Sequence, residues 1–199
     1  MKKLLLSVLF LMFAVSYGWS LSIIPKIGFD IPGTVIGNKD FGLDNNFKSY
    51  GTYAGWNIGA EVRGDISKYF MWGAGFQYDI PRHMTDTGLS WNDSNISFSP
   101  IYATIICAPF GQWGSIKIKP YLKAFLGYNV LNSVGSGVAG SVSGGINYGA
   151  GLGFEYLSFV FEMLASSSHG TLKDVNAADT VNDVEYKKIT LSLGYKFNV

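Results

Sequence analysis

Cysteine is all but absent: Cys107 is the single one in 199 residues, so no internal disulfide can form, and two histidines leave too few ligands for a structural zinc site. Charge is scarce as well. Lys, Arg, Asp and Glu make up 15% of the chain, against about 25% in average soluble domains. Setting aside Lys2 and Lys3 takes the 15 basic residues to 13, against 14 acidic ones. No basic field is left to gather nucleic acid, and that function class is excluded. Beyond Ser20 no apolar run approaches the roughly 20 residues of a membrane-spanning helix. No linker divides the chain, and its length suits one domain.

Glycine is abundant, with 25 residues, nearly twice the usual share of about 7%. The N-terminus carries a basic start, Met1-Lys2-Lys3, and an apolar run from Leu4 to Tyr17 that is short for a membrane anchor. Small residues follow at Ser16, Gly18, Ser20 and Ser22, the two-residue spacing that a signal peptidase reads. Residues 1–20 are therefore expected to be a cleaved signal peptide, and residues 21–199 one domain. No cysteine stands near the cleavage sites to carry a lipid anchor.

From Ile23 onward the chain alternates with a period of two, the signature of strands. The apolar series are Ile23 to Ile31, Ala54 to Val62, Phe70 to Ile80, Phe98 to Ile106, Ile116 to Tyr128, Val142 to Tyr156, Leu157 to Ala165 and Ile189 to Val199. Eight strands result. The fourth is the least clear, because Ile101, Ala103, Ile105 and Cys107 oppose Phe98, Pro100, Tyr102, Thr104 and Ile106. Taking the second series as the apolar face puts Tyr102 outside and Cys107 on the lumen side. Connections alternate long and short, as in up-and-down barrels with one elaborated end. The longest loops are read as Ile31 to Tyr50 and Ser167 to Val184.

Alternation fits either a soluble barrel with the apolar faces inside or a membrane barrel with them outside. Eight strands enclose a space only just wide enough for side chains. Trp56, Trp72, Phe76, Tyr78, Tyr128, Tyr148, Phe154, Phe161 and their like are too bulky in sum for that lumen, so they face out. The opposite faces set glycines among Glu61, Arg63, Lys117, Lys119, Lys123, Glu155, Glu162 and Lys196. Small neighbours admit long charged side chains to a narrow interior, where opposite charges satisfy one another. A symmetric loop between the fifth and sixth strands would set Lys117 opposite Glu155. The expected fold is all-β, an eight-stranded antiparallel up-and-down transmembrane β-barrel with an ionic lumen.

On these features the whole mature chain resembles the small eight-stranded outer-membrane barrels of Gram-negative bacteria: OmpX-like proteins, the OmpA transmembrane domain and opacity-type surface proteins. The final alternation, with Leu193, Tyr195, Phe197 and Val199, looks like the assembly strand of that class, although here Val199 closes the chain and Phe197 lies two residues before it. The resemblance implies a bacterial outer-membrane location. It also implies contact with outer-membrane lipid and lipopolysaccharide or its equivalent, handling by the outer-membrane assembly machinery, and a monomer. A host or extracellular ligand would meet the four loops.

Signs of chemistry are few. His169 follows Ser166, Ser167 and Ser168, and with Asp86 or Glu162 it could build a hydrolase only if the fold supplied the geometry; solvated loop residues are the favoured reading, as for His83. Gly149, Gly151 and Gly153 sit inside a strand, without the helix a phosphate loop needs. Asp174, Asp179 and Asp183 lack a calcium-loop spacing. Asn95-Ile96-Ser97 forms a glycosylation sequon that a bacterial envelope protein would not ordinarily use. No catalytic residue, cofactor or metal is expected. Two functions stay open: a structural or surface-interaction barrel, and a narrow pore or small-solute transport barrel.

Overall fold

The computed structural model describes residues 20–37, 48–85, 95–109, 118–134, 141–173 and 181–199. Residues 1–19 of the expected leader, the tip of each long loop, Lys117, Asp86, Asp174 and Asp179 lie outside these residues. The described chain is strand and turn: β1 (Leu21–Gly37), β2 (Lys48–Gly51), β3 (Gly55–Asp65), β4 (Phe70–Asp79), β5 (Arg82–His83), β6 (Asn95–Cys107), β7 (Ile118–Val134), β8 (Ser141–Tyr156), β9 (Phe159–Lys173), β10 (Val181–Tyr195) and β11 (Phe197–Asn198).

Eight of these are staves, each antiparallel to its neighbours in the order β1, β3, β4, β6, β7, β8, β9, β10, and β10 closes back onto β1. The seam runs from Lys26↔Gly194 to Ile31↔Ile189 and resumes beyond a register shift at Thr34↔Lys187. Closure removes the free edges that hydrocarbon does not tolerate. β2 and β5 prolong the staves begun by β3 and β4 through the Thr52↔Met84 bridge, and β11 prolongs β10.

Two expected loops are shorter than the residue pattern suggested. β1 continues past Ile31 to Gly37, and β9 and β10 stay paired out to Lys173↔Val181. Hydrophobic alternation stops at the end of the apolar belt, but backbone pairing does not, because a strand in water can carry polar residues on its outer face. At the opposite end the described β3–β4 and β8–β9 turns are tight. Tyr156 pairs with Phe159 across Leu157-Ser158, and Leu157 takes a left-handed φ of 56°, the sign that matches a two-residue turn to the twist of its strands.

The outward face is apolar all round. Leu126 is 63% exposed, and Trp56, Ile58, Ile105, Leu122 and Leu152 are exposed with it. From Phe70 to Ile80 this belt spans about 25 Å at a barrel tilt of about 40°, the height of a transmembrane band. One stave departs from expectation. On β6 the exposed residues are Ile101, Ala103 and Ile105, whereas Tyr102 points inward and Cys107, half-buried, shares the outer side. Both β6 faces are apolar, so alternation could not choose between them. The cross-strand partners decide: Tyr102 is flanked by Gly75 and Gly127, and a Cβ on Gly75 would stand 2.6 Å from the Tyr102 ring.

Candidate functional site: a charged barrel interior

Inward positions alternate with the belt, and most of the charge is there. Towards the short-turn end lies a cluster of Lys26, Arg63 and Lys123 with Glu61, Glu155 and Glu162. Glu162 accepts from Lys26 at 2.7 Å, Arg63 at 2.7 Å and Lys123 at 3.1 Å. Glu61 accepts from Lys26 at 2.8 Å and from Arg63 and Lys123 at 2.6 Å each. The Tyr102 hydroxyl donates to Glu61 at 3.0 Å and that of Tyr121 to Glu162 at 2.9 Å. Arg63, only 2% exposed, also stacks over the Tyr121 ring at 5.2 Å. Glu155 links this cluster to the rim, 3.4 Å from Arg63 and 3.1 Å from Lys196.

A second cluster lies towards the long-loop end. Asp30 accepts from Asn57 at 2.9 Å, from Lys188 at 3.1 Å, and from Arg82 and Thr190. Lys188 reaches Asp79 as well, and Gln77 donates to Asp79 at 2.6 Å. Arg82 donates to the Tyr186 hydroxyl at 2.9 Å. Charges balance in each cluster: three cations with three carboxylates in the first, before Lys196 joins at the rim, and two with two in the second. That balance makes burial tolerable, since an unpaired charge in a low-dielectric interior is costly.

Apolar side chains lie beyond each cluster. Ile24, Met71, Ile106, Ala108, Tyr121 and Val160 pack at the short-turn end, and Val35, Met84, Ile96, Phe98, Val184 and Tyr186 at the long-loop end. Between the clusters a cavity of about 20 Å³ touches Gln77, Tyr102, Asn147, Ser166, Lys188 and Thr190, room for a single water.

The structure thus gathers Glu61, Arg63, Lys123, Glu155, Glu162 and Lys196 of the anticipated network. The β7–β8 register is offset by two from the symmetric-loop expectation, so Lys119 rather than Lys117 lies opposite Glu155, and the ion partners of Glu155 are Arg63 and Lys196. Five further members went unnamed: Lys26, Asp30, Asp79, Arg82 and Lys188. All but Arg82 occupy the polar parity of their strands and were legible on that ground. Arg82 follows Pro81, where alternation breaks off.

Leu193, Tyr195, Phe197 and Val199 all face outward. Leu193 pairs with Ile27 and Phe197 with Ile23, and the Val199 amide donates to the Leu21 carbonyl at 2.9 Å.

Ser167 and His169 also face outward, on β9. The Ser167 hydroxyl donates to Glu185 at 2.7 Å and lies 3.3 Å from His169 Nε2, and the same nitrogen is 3.8 Å from Glu185. A charge-relay site needs the acid on the ring nitrogen opposite the serine. Here both contacts converge on Nε2, so the trio is a polar cluster without that geometry.

A closed antiparallel barrel with an apolar exterior and a charged, glycine-lined interior has the architecture of the small eight-stranded outer-membrane β-barrels. The structure is similar to that of the outer membrane protein OprG from Pseudomonas aeruginosa, with a TM-score of 0.58 at 13% identity, covering 91% of this chain and 97% of that one. It is also similar to Neisserial surface protein A, with a TM-score of 0.49 at 17% identity over 88% of this chain and 97% of that one. The likeness to OprG is one of fold. No family model and no curated protein matches the sequence.

Proposed function

We propose that this chain is a bacterial outer-membrane barrel with a closed lumen, serving a structural or surface-interaction role through its long-loop end and carrying no catalytic site. The observation that carries the reading is the stacking of two charge-balanced clusters between apolar layers, inside a wall whose outer face is apolar. The fold shared with OprG, an outer membrane protein, supports the location. Residues 1–20 act as the export signal. Outer-membrane lipid and lipopolysaccharide or its equivalent surround the belt, the assembly machinery inserts a monomer, and an extracellular or host ligand meets the loops.

The test is conductance. Arg63 and Lys123 each engage two carboxylates across the lumen, and eight strands leave no water-filled bore of the kind that about sixteen provide. Purified protein in planar bilayers is expected to show no steady porin-sized current. A large, stable current from the wild-type monomer would overturn the closed lumen in favour of a transport barrel.

Orientation has its own measurement. With the short turns in the periplasm, a cysteine introduced at Asp65 should resist a membrane-impermeant thiol reagent applied to intact cells and react once the outer membrane is opened. Labelling of intact cells would reverse the assignment.

A further inference from the structure

The pairing of the wall is interrupted at two places on neighbouring staves. Between β1 and β10 the register shifts across Ile31/Thr34, and between β8 and β9 it shifts across Gly144/Asn147. On the outer surface nearby, the wall is indented into a shallow, open crevice of about 430 Å³. Pro32, Ala165 and Ile189 line its apolar part, and Tyr148, Ser167 and Lys187 its polar part. The change of character follows the staves. Along β10 the outward residues run Leu193, Leu191, Ile189 and then Lys187; along β9 they run Phe161, Met163, Ala165 and then Ser167 and His169. The crevice therefore crosses the upper border of the apolar belt.

Polar contacts hold the rim in place. Glu185 accepts from Ser167 at 2.7 Å and from Lys187 at 3.1 Å, and His169 stacks on Tyr148 with ring centres 5.7 Å apart. The Lys187 side chain is 55% exposed, and its ammonium has three donors, of which Glu185 takes one. A cation above an apolar hollow at the border of a hydrocarbon belt matches a molecule with an anionic head and a hydrocarbon tail. In a bilayer the molecules that reach this face from the side are lipids.

We infer that the crevice seats one phosphate-bearing acyl lipid of the membrane, with part of its chain against Ala165 and Ile189 and its phosphate at Lys187. This rests on the membrane placement proposed above. Binding draws on burial of chain and floor, and selectivity on the net charge of the head: the Lys187 ammonium favours a phosphate whose charge no choline cation offsets.

The experiment uses the full mature chain folded into vesicles of equal parts phosphatidylglycerol and phosphatidylcholine, then extracted in mild detergent for native mass spectrometry. Wild-type protein should retain one phosphatidylglycerol in preference to phosphatidylcholine. Ala165→Trp fills the hollow and should reduce retention at least tenfold, whereas Ala74→Trp, on a distant part of the belt, should leave it unchanged. Lys187→Ala should equalise the two lipids. Heat-modifiable gel mobility verifies that each variant is folded, and if Ala165→Trp does not fold, Ala165→Leu and Lys187→Ala carry the comparison. A folded, inserted wild-type barrel that retains no lipid, or Ala165→Trp and Ala74→Trp behaving alike, overturns the seat and leaves the membrane reading standing. Failure of the chain to enter vesicles at all defeats the membrane reading itself, and the seat falls with it.

Discussion

Removal of Leu193 to Val199 is expected to abolish insertion into the outer membrane. These residues close the ring: Leu193 and Gly194 pair with Ile27 and Lys26 on one side and with Phe161 and Val160 on the other. β11 adds Phe197↔Ile23 and Asn198↔Ser22. Without them β1 and β9 each present a run of bare amides and carbonyls at the level of the apolar belt. Every such group left in hydrocarbon costs several kcal/mol, so the sum exceeds the roughly 5–15 kcal/mol of net stability that folded proteins possess. Removing Val199 alone takes away one backbone contact near the rim, to Leu21, and should be tolerated. The readout is the amount of protein in the outer-membrane fraction and its compact, heat-modifiable band. Normal levels of the longer truncation would show that the short-turn end of the seam is not needed for assembly.

Glu162→Ala should destabilise the barrel by about 3–5 kcal/mol, the cost of breaking a buried ionic group by removing one partner. Glu162 is the meeting point of Lys26, Arg63, Lys123 and Tyr121. Its loss leaves three enclosed cations to Glu61 and Glu155. Glu162→Gln keeps an acceptor oxygen and should cost less. Adding Lys123→Met to Glu162→Ala removes one stranded cation and should restore part of the loss, a coupling that a double-mutant cycle reads directly. Glu185→Ala, at the outer rim of β10, removes a partly exposed carboxylate outside the interior and should shift stability by no more than about 1 kcal/mol. Urea unfolding of the vesicle-inserted barrel measures these variants and the Lys123→Met single that completes the cycle. Equal stability of Glu162→Ala and Glu185→Ala would refute the claim that the interior cluster supports the fold.

Much of this architecture was legible in the residues because the β period is two and the solvent differs on the two faces of the wall. Ala54 to Val62 and Ile118 to Tyr128 place every second side chain in the belt, and the same parity turns Glu61, Arg63 and Lys123 inward. The β6 stave shows the limit. With isoleucines on one face and Phe98, Tyr102 and Ile106 on the other, hydrophobicity carries no preference, and the pattern that places Tyr102 outside gives way to a structure in which it faces Glu61. The upper cluster shows another. Asp30, Asp79 and Lys188 lie on the polar parity of their strands, but no local pattern states that these three charges, from three strands, share one height.

The sequence alone determined the class of structure, the strands and most of the inward set, because alternation and the bulk of the aromatics admit one way of closing eight strands. Register, and therefore partnership, came only with the tertiary structure. A shift of two residues preserves every side chain's face while changing whom it meets, so the sequence pattern could not distinguish Lys117 from Lys119 opposite Glu155. Nor could it foresee that Arg63 would reach Glu162 on a strand 99 residues away. The outer crevice is likewise a product of bulges on neighbouring staves, whose position depends on how the completed ring absorbs its twist and not on any one segment.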